Sequence, residues 1–166
     1  MDKRWIGILI ILIIGLGLMY LIADDSPRVG NAITVIKDVN VAVPLGFGIS
    51  NSQADSCQFY NKQTNQTVDI ACLNKADRIS EYNNKLKSLE EDENIIINNN
   101  FTNETLSLID FTNTSKDTIH VEIVYFKKLD YTFSLKTTDL PNSNNVKREN
   151  VTQYIMDTLE YDFKQD

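Results

Sequence analysis

The sequence has little of the chemistry that most enzyme classes require. It has 166 residues but only six glycines, all at or before Gly48, and a single histidine, His120. Phosphate-binding loops and nucleophile elbows need glycine where the backbone approaches phosphate or turns sharply, so the segment after Gly48 excludes them. One imidazole cannot build a histidine-rich metal centre, and no activated serine motif accompanies it. We therefore expect no catalytic motif, no metal site and no cofactor.

Basic residues are also in the minority. The chain has 16 Lys and Arg against 23 Asp and Glu, which gives a net charge of -7 at pH 7. Nucleic-acid binding requires clustered Lys and Arg that release counterions from phosphate, so we expect no nucleic-acid partner. Carboxylates are plentiful, and catalytic carboxylate pairs leave no sequence motif. A surface hydrolase that uses residues such as Asp110 or Glu122 therefore stays open as an alternative.

The long hydrophobic run lies at the N-terminus. Nineteen uncharged residues extend from Trp5 to Ala23, directly after Lys3 and Arg4. A helix of this length spans ~28 Å, close to the hydrocarbon thickness of a bilayer. The preceding basic residues favour a cytoplasmic N-terminus, which predicts a single-pass anchor in the cell membrane with the C-terminal domain outside. A signal peptide cleaved after Ala23 is the competing interpretation, but its apolar run would be unusually long, and Leu21 occupies a position where a small residue is expected.

The remainder predicts an α+β fold, an antiparallel sheet packed against two helices. We divide the chain into an anchor (residues 1–25), a short stalk (26–32) and an extracytoplasmic domain (33–166). Within this domain, β-branched and alternating runs predict strands, and apolar stripes predict helices. The strands are expected at 33–36, 39–43, 56–62, 67–73, 94–101, 104–112, 118–127 and 131–137, and the helices at 75–91, with Asn74 as N-cap, and at 145–163. Alternation in the run from Ile119 to Tyr125 predicts a sheet with one covered face, with His120 and Glu122 on the other.

The two cysteines flank a predicted hairpin. If Lys62 pairs with Thr67, Cys57 lies directly opposite Cys72, and a disulfide fits that geometry. Two buried free thiols are the alternative, since free cysteine is among the most buried residue types.

Five N-x-S/T sequons give weak support to an outside location. They begin at Asn65, Asn100, Asn103, Asn113 and Asn150. Each is a candidate glycosylation site, and Asn65 is the favoured acceptor because it lies at the predicted hairpin tip.

A short motif carries a resemblance to a known group of proteins. The run VNVAVPLGF contains Val43, Pro44, Gly46 and Phe47. With the final amphipathic helix, it resembles the opening of small archaeal membrane-anchored domains and, more distantly, the PsbP-like fold, over residues 33–163. This resemblance implies an α+β sandwich and a binding or assembly role without shared catalytic residues. We therefore expect a non-enzymatic membrane-anchored domain with a protein or cell-surface partner. A small structural subunit of a membrane complex is a further alternative.

Overall fold

The computed structural model describes residues 33–115, 117–139 and 147–161, and these form ten strands and two helices. The predicted anchor and stalk lie outside the described residues. Among the described residues no helix is long and apolar enough to cross a membrane. In chain order the elements are β1 (Ile33–Ile36), β2 (Val39–Ala42), β3 (Gly48–Ser52), β4 (Ser56–Asn61), β5 (Gln66–Cys72), α1 (Arg78–Glu90), β6 (Ile95–Thr102), β7 (Leu106–Asn113), β8 (Ile119–Lys128), β9 (Tyr131–Asp139), α2 (Arg148–Thr158) and β10 (Glu160–Tyr161). The predicted α+β class is confirmed.

The main element is a seven-stranded antiparallel sheet in the order β3-β4-β5-β9-β8-β7-β6. A smaller antiparallel sheet has the order β1-β2-β10. Strands β6 to β9 form an antiparallel meander, and its last turn consists of Leu129 and Asp130, both with positive φ. Two successive left-handed residues are typical of a type I′ hairpin turn, whose twist matches that of the flanking strands.

Both faces of the large sheet are covered, so the prediction of one covered face is wrong. All six residues from Val121 to Phe126 in β8 are buried. Val121, Ile123 and Tyr125 pack with α1, whereas Val124 and Phe126 pack in a second cluster with α2, β1 and β2. Helices on both faces explain why β8 is buried on both sides.

The β4–β5 hairpin has a different register from the predicted one. Asn61 pairs with Gln66, so Cys57 lies opposite Ile70 instead of Cys72. The Asn61 side-chain carbonyl accepts hydrogen bonds from the backbone N–H groups of Gln63 and Thr64, at 2.9 and 3.3 Å, which closes the turn early. A shift of two residues keeps both cysteines on one face. Both are buried free thiols in the core, and no disulfide is seen.

The predicted start of the first helix is also wrong. Helix α1 begins at Arg78 and is capped by Asp77, whose carboxylate accepts the Ser80 backbone N–H at 2.8 Å. Asn74 has φ +57, whereas an N-cap requires extended backbone. The described part of the closing helix ends at Thr158 instead of residue 163, because Leu159 is extended and leads into β10. Residues 145–146 and 162–163 of that prediction lie outside the described residues.

Strand β3 has no counterpart in the sequence prediction. All five of its residues are exposed at the edge of the sheet, so it lacks the hydrophobic alternation that indicates a strand. A turn at Gly46-Phe47-Gly48 leads into this strand. Gly46 has φ +84, and the Phe47 N–H donates to the Pro44 carbonyl at 3.0 Å, so the chain does turn there before entering β3.

Candidate functional site

A groove of about 640 Å³ lies between α2 and strands β6 to β9. We call it the α2 groove. One end is charged and is lined by Asp110, Glu122, Asp139 and Arg148, with Lys147 and Glu149 beside them; the other end is apolar and is lined by Phe101, Leu106, Leu108, Val124 and Met156. A site that combines an apolar wall with a few convergent polar groups is the usual form of a binding pocket.

The strand register produces these two ends. Asp110 on β7 lies directly opposite Glu122 on β8, and two residues along, Leu108 lies opposite Val124. Because side chains two residues apart share a face, β7 and β8 each contribute both charged and apolar residues to the groove. Helix α2 follows the same division, since Arg148 lies at its first turn and Met156 at its last.

Arg148 connects the helix to two carboxylates of the sheet. Its NH1 lies 3.2 Å from Asp110 Oδ1, and its Nε lies 3.3 Å from Asp139 Oδ2. The Asp139 carboxylate also accepts the side-chain amide of Gln66 at 2.8 Å. Asp139 is buried, while Arg148 and Asp110 are partly exposed to the groove. This network fixes the first turn of α2 on the sheet.

Glu122 is the most unusual group in the groove. Only 6% of it is exposed, and its one hydrogen bond among the described residues is a long contact of 3.4 Å from the Thr152 hydroxyl. Burial raises the pKa of the Glu122 carboxyl above the ordinary glutamate value, and Arg148 opposes that rise. Removing a carboxylate from water without strong hydrogen bonds disfavours its charged form.

Of the residues named from the sequence, Asp110 and Glu122 line the α2 groove and His120 does not. Asp110 and Glu122, which the hydrolase alternative names, lie together on β7 and β8. His120 is an exposed residue near the start of β8, where its Nδ1 is 3.1 Å from the Thr112 hydroxyl. No group of three or more His, Cys, Asp and Glu side chains in the described part of the chain could hold a metal ion.

Asp139, Arg148 and Thr152 were not predicted as site residues. They join the groove only through the pairing of β8 with β9 and the packing of α2, so no local pattern marks them. The excess of charge in the run Lys147-Arg148-Glu149, just before an apolar stripe, is the one available signal.

The five sequon asparagines are all in the described residues. Asn65, Asn100, Asn103 and Asn150 are exposed, and Asn113 is half-buried. Asn65 lies in the β4–β5 turn, where its side chain accepts the Tyr60 hydroxyl. Its predicted place at a hairpin tip is therefore confirmed, and glycosylation stays a prediction.

No protein-family model and no curated protein matches the chain. Among solved structures, it is similar to the Ran-binding protein Mog1p of Saccharomyces cerevisiae, with a TM-score of 0.54 and 10% sequence identity, over 80% of this chain and 96% of that chain. A structure from Bacteroides thetaiotaomicron has a TM-score of 0.46 and 13% identity, and the match covers 81% of this chain and 49% of that chain. At 10% identity the likeness to Mog1p concerns the fold alone, and it supports the distant PsbP-like fold expected from the sequence.

Proposed function

We propose that this chain is a membrane-anchored binding domain, displayed outside the cell membrane, whose α2 groove holds a segment of a protein partner. The groove carries the proposal, because it combines a half-open apolar wall with charged groups fixed by the fold. Phe101 in this wall is 41% exposed, although aromatic side chains gain most from burial. A partner that covers Phe101 recovers that free energy. The structural neighbour Mog1p is a Ran-binding protein, which agrees with a non-catalytic binding role.

Photocrosslinking tests whether the groove is the binding surface. The full-length chain is expressed in its native membrane with p-benzoylphenylalanine at position 101, in the groove, or at position 79, on α1. Ile79 is a matched control because it is a comparably exposed apolar residue, 38% against 41%, on the other face of the sheet. We expect a discrete crosslinked protein from position 101 and none from position 79. Equal adducts from both positions, or none from position 101, would contradict the proposal.

Anchoring and location need a separate measurement. The predicted span of residues 5–23 motivates it. Intact mass of the protein from native membranes, before and after deglycosylation, gives the state of the N-terminus and of the five sequons. A full-length mass with glycan agrees with an anchored outer domain. The mass of a chain that begins after Ala23 would instead establish a cleaved signal peptide. If the chain is full-length and unglycosylated, protease added to sealed and to opened membrane vesicles locates the domain, and digestion in opened vesicles alone would place it inside.

A carboxylate hydrolase is the second candidate. Asp110 and Glu122 lie on directly opposite positions of β7 and β8 in a groove, and the raised pKa of the Glu122 carboxyl suits a general acid. The two carboxyls differ in environment, since Arg148 forms a direct ion pair with Asp110, whereas its guanidinium only partly opposes the effect of burial on Glu122. Turnover of a glycan or peptide substrate that is lost in both Asp110→Asn and Glu122→Gln would favour this candidate over binding alone.

A further inference from the structure

The lining of the α2 groove has an excess of negative charge. Its acidic side chains are Asp110, Glu122, Asp139 and Glu149, and its basic side chains are Lys147 and Arg148. Four carboxylates against two cations leave a formal charge of -2. The single guanidinium is shared between Asp110 and Asp139 at 3.2 and 3.3 Å, so it contacts neither Glu122 nor Glu149. The charge of the groove therefore favours a positively charged occupant.

Glu122 supplies the specific point of contact. A carboxylate can accept about four hydrogen bonds. The Glu122 carboxylate has a single long contact, from the Thr152 hydroxyl at 3.4 Å, although only 6% of the residue is exposed to solvent. Directly opposite on β9 lies Thr137, whose fully buried hydroxyl has no hydrogen-bond partner among the described residues. Buried polar groups are normally satisfied, and unsatisfied ones call for an explanation. Thr137 does not line the groove, but a donor entering the groove would supply the bonds that Glu122 lacks.

The apolar end lies next to Glu122 on the same face. Val124 follows Glu122 by two residues on β8, and Leu108 pairs with both Val124 and Phe101 across the sheet. Alternate residues of a strand are ~7 Å apart and neighbouring strands ~4.8 Å, so Phe101, which lies on β6 two strands from β8, is on the order of 12 Å from Glu122, a distance that side chains a few positions apart in an extended peptide can span. One extended segment can thus present a donor to Glu122 and an apolar side chain to Phe101 and Leu108.

From these features we infer that the α2 groove recognises a basic segment of its protein partner, in which a lysine or arginine side chain donates to Glu122 and a nearby apolar side chain packs on Phe101. The inference rests on the proposed binding function of the groove and adds the chemistry of the occupant. It also explains the placement of a nearly unsatisfied carboxylate at the junction of the two ends. A cation brought into contact with Glu122 offsets the cost of its burial.

The test uses a display library of random seven-residue peptides against the full-length protein in detergent solution. Parallel selections use Glu122→Gln, which removes the proposed contact, and Phe101→Arg, which blocks the apolar end from a partly exposed position. Glu81→Gln, on α1 outside the groove, is the matched control. We expect Lys or Arg one to three positions from Leu, Ile or Phe in the selected peptides, loss of this basic enrichment with Glu122→Gln, and loss of binding with Phe101→Arg. In a selected peptide, norleucine in place of lysine should weaken binding about tenfold.

The outcomes separate the two proposals. Peptides that bind the groove, as judged by loss with Phe101→Arg, but carry no basic residue would overturn the cationic recognition and leave the binding function intact. Basic peptides that bind Glu122→Gln as well as the wild type would also overturn it. Absence of any peptide that is sensitive to Phe101→Arg would overturn both proposals.

Discussion

The two helices begin with the same residue type and use it differently. Arg78 opens α1 and Arg148 opens α2. The Arg78 guanidinium is buried and donates to neutral oxygens, the Ser107 hydroxyl at 2.6 Å and the Asn103 carbonyl at 2.7 Å. Arg148 is partly exposed in a groove and contacts two carboxylates. Arg78 thus holds the turn between β6 and β7 against α1, whereas Arg148 belongs to the charged end of the α2 groove.

The capping of the two helices follows the same division. Asp77 caps α1 through its carboxylate, whereas the residue in the N-cap position of α2, Lys147, makes no side-chain cap hydrogen bond. A satisfied helix start adds stability, and an unsatisfied one leaves polar groups available. The comparison assigns more stabilising contacts to the start of α1, and it agrees with the proposed binding role of the α2 side.

The largest effect should come from Arg78. Arg78→Met removes a charged donor from the buried Ser107 hydroxyl and from the Asn103 carbonyl, so we expect a loss of about 2 kcal/mol in the free energy of unfolding. Urea denaturation measures it. Lys87→Met, a change of an exposed charge on the same helix, should cost under about 0.5 kcal/mol. Equal losses in the two variants would refute the structural role of Arg78.

Arg148→Met should destabilise less, by about 1 kcal/mol at neutral pH, because its ion pairs are partly exposed. Removal of Arg148 also removes the interaction that opposes the raised pKa of the Glu122 carboxyl, so this pKa should rise further. Carboxyl NMR titration follows that change, and an unchanged Glu122 titration would show that the guanidinium does not influence it.

The sequence predicts the elements of this fold better than it predicts the contacts between them. Alternation in β8 and β9 gave their positions within two residues, and the amphipathic patterns gave both helices. The sequence did not predict the second covered face, because apolar residues at both odd and even positions of Val121 to Phe126 suit either a core strand or an alternating one. The charged end of the groove depends on pairing between β7, β8 and β9 and on the docking of α2. Such long-range contacts have no local pattern.

Glu122→Gln should stabilise the protein near neutral pH, by on the order of 1 kcal/mol, because it removes a buried and poorly solvated charge. The folded-state pKa of Glu122 is raised above its ordinary value of 4.5, so its proton favours folding. That contribution is fully present below pH 4.5 and is lost as the pH rises through the raised pKa. The variant and the wild type should thus unfold alike in acid and diverge above that pH. Thermal unfolding from pH 4 to 8 tests this prediction, with Glu149→Gln as the exposed control. If Glu122→Gln and the wild type differ in stability only in acid, the prediction is refuted.

The smallest effects should come from the caps themselves. Asp77→Ala removes the acceptor for the Ser80 N–H, so the urea midpoint should fall by a fraction of the shift seen with Arg78→Met. Asp77→Asn keeps an acceptor, so its urea midpoint should fall less. Hydrogen bonds from Ser80 lower the pKa of the Asp77 carboxyl, so its stabilisation is present above the ordinary value of 3.8 and is lost as the pH falls through the lowered pKa.

The converse change is Lys147→Ser, which supplies the side-chain cap that α2 lacks and should raise the free energy of unfolding by about 0.5 kcal/mol. A gain there, together with weaker peptide binding, would mean that the open start of α2 is kept for binding at a cost in stability; a gain with unchanged binding would show that the missing cap has no part in it.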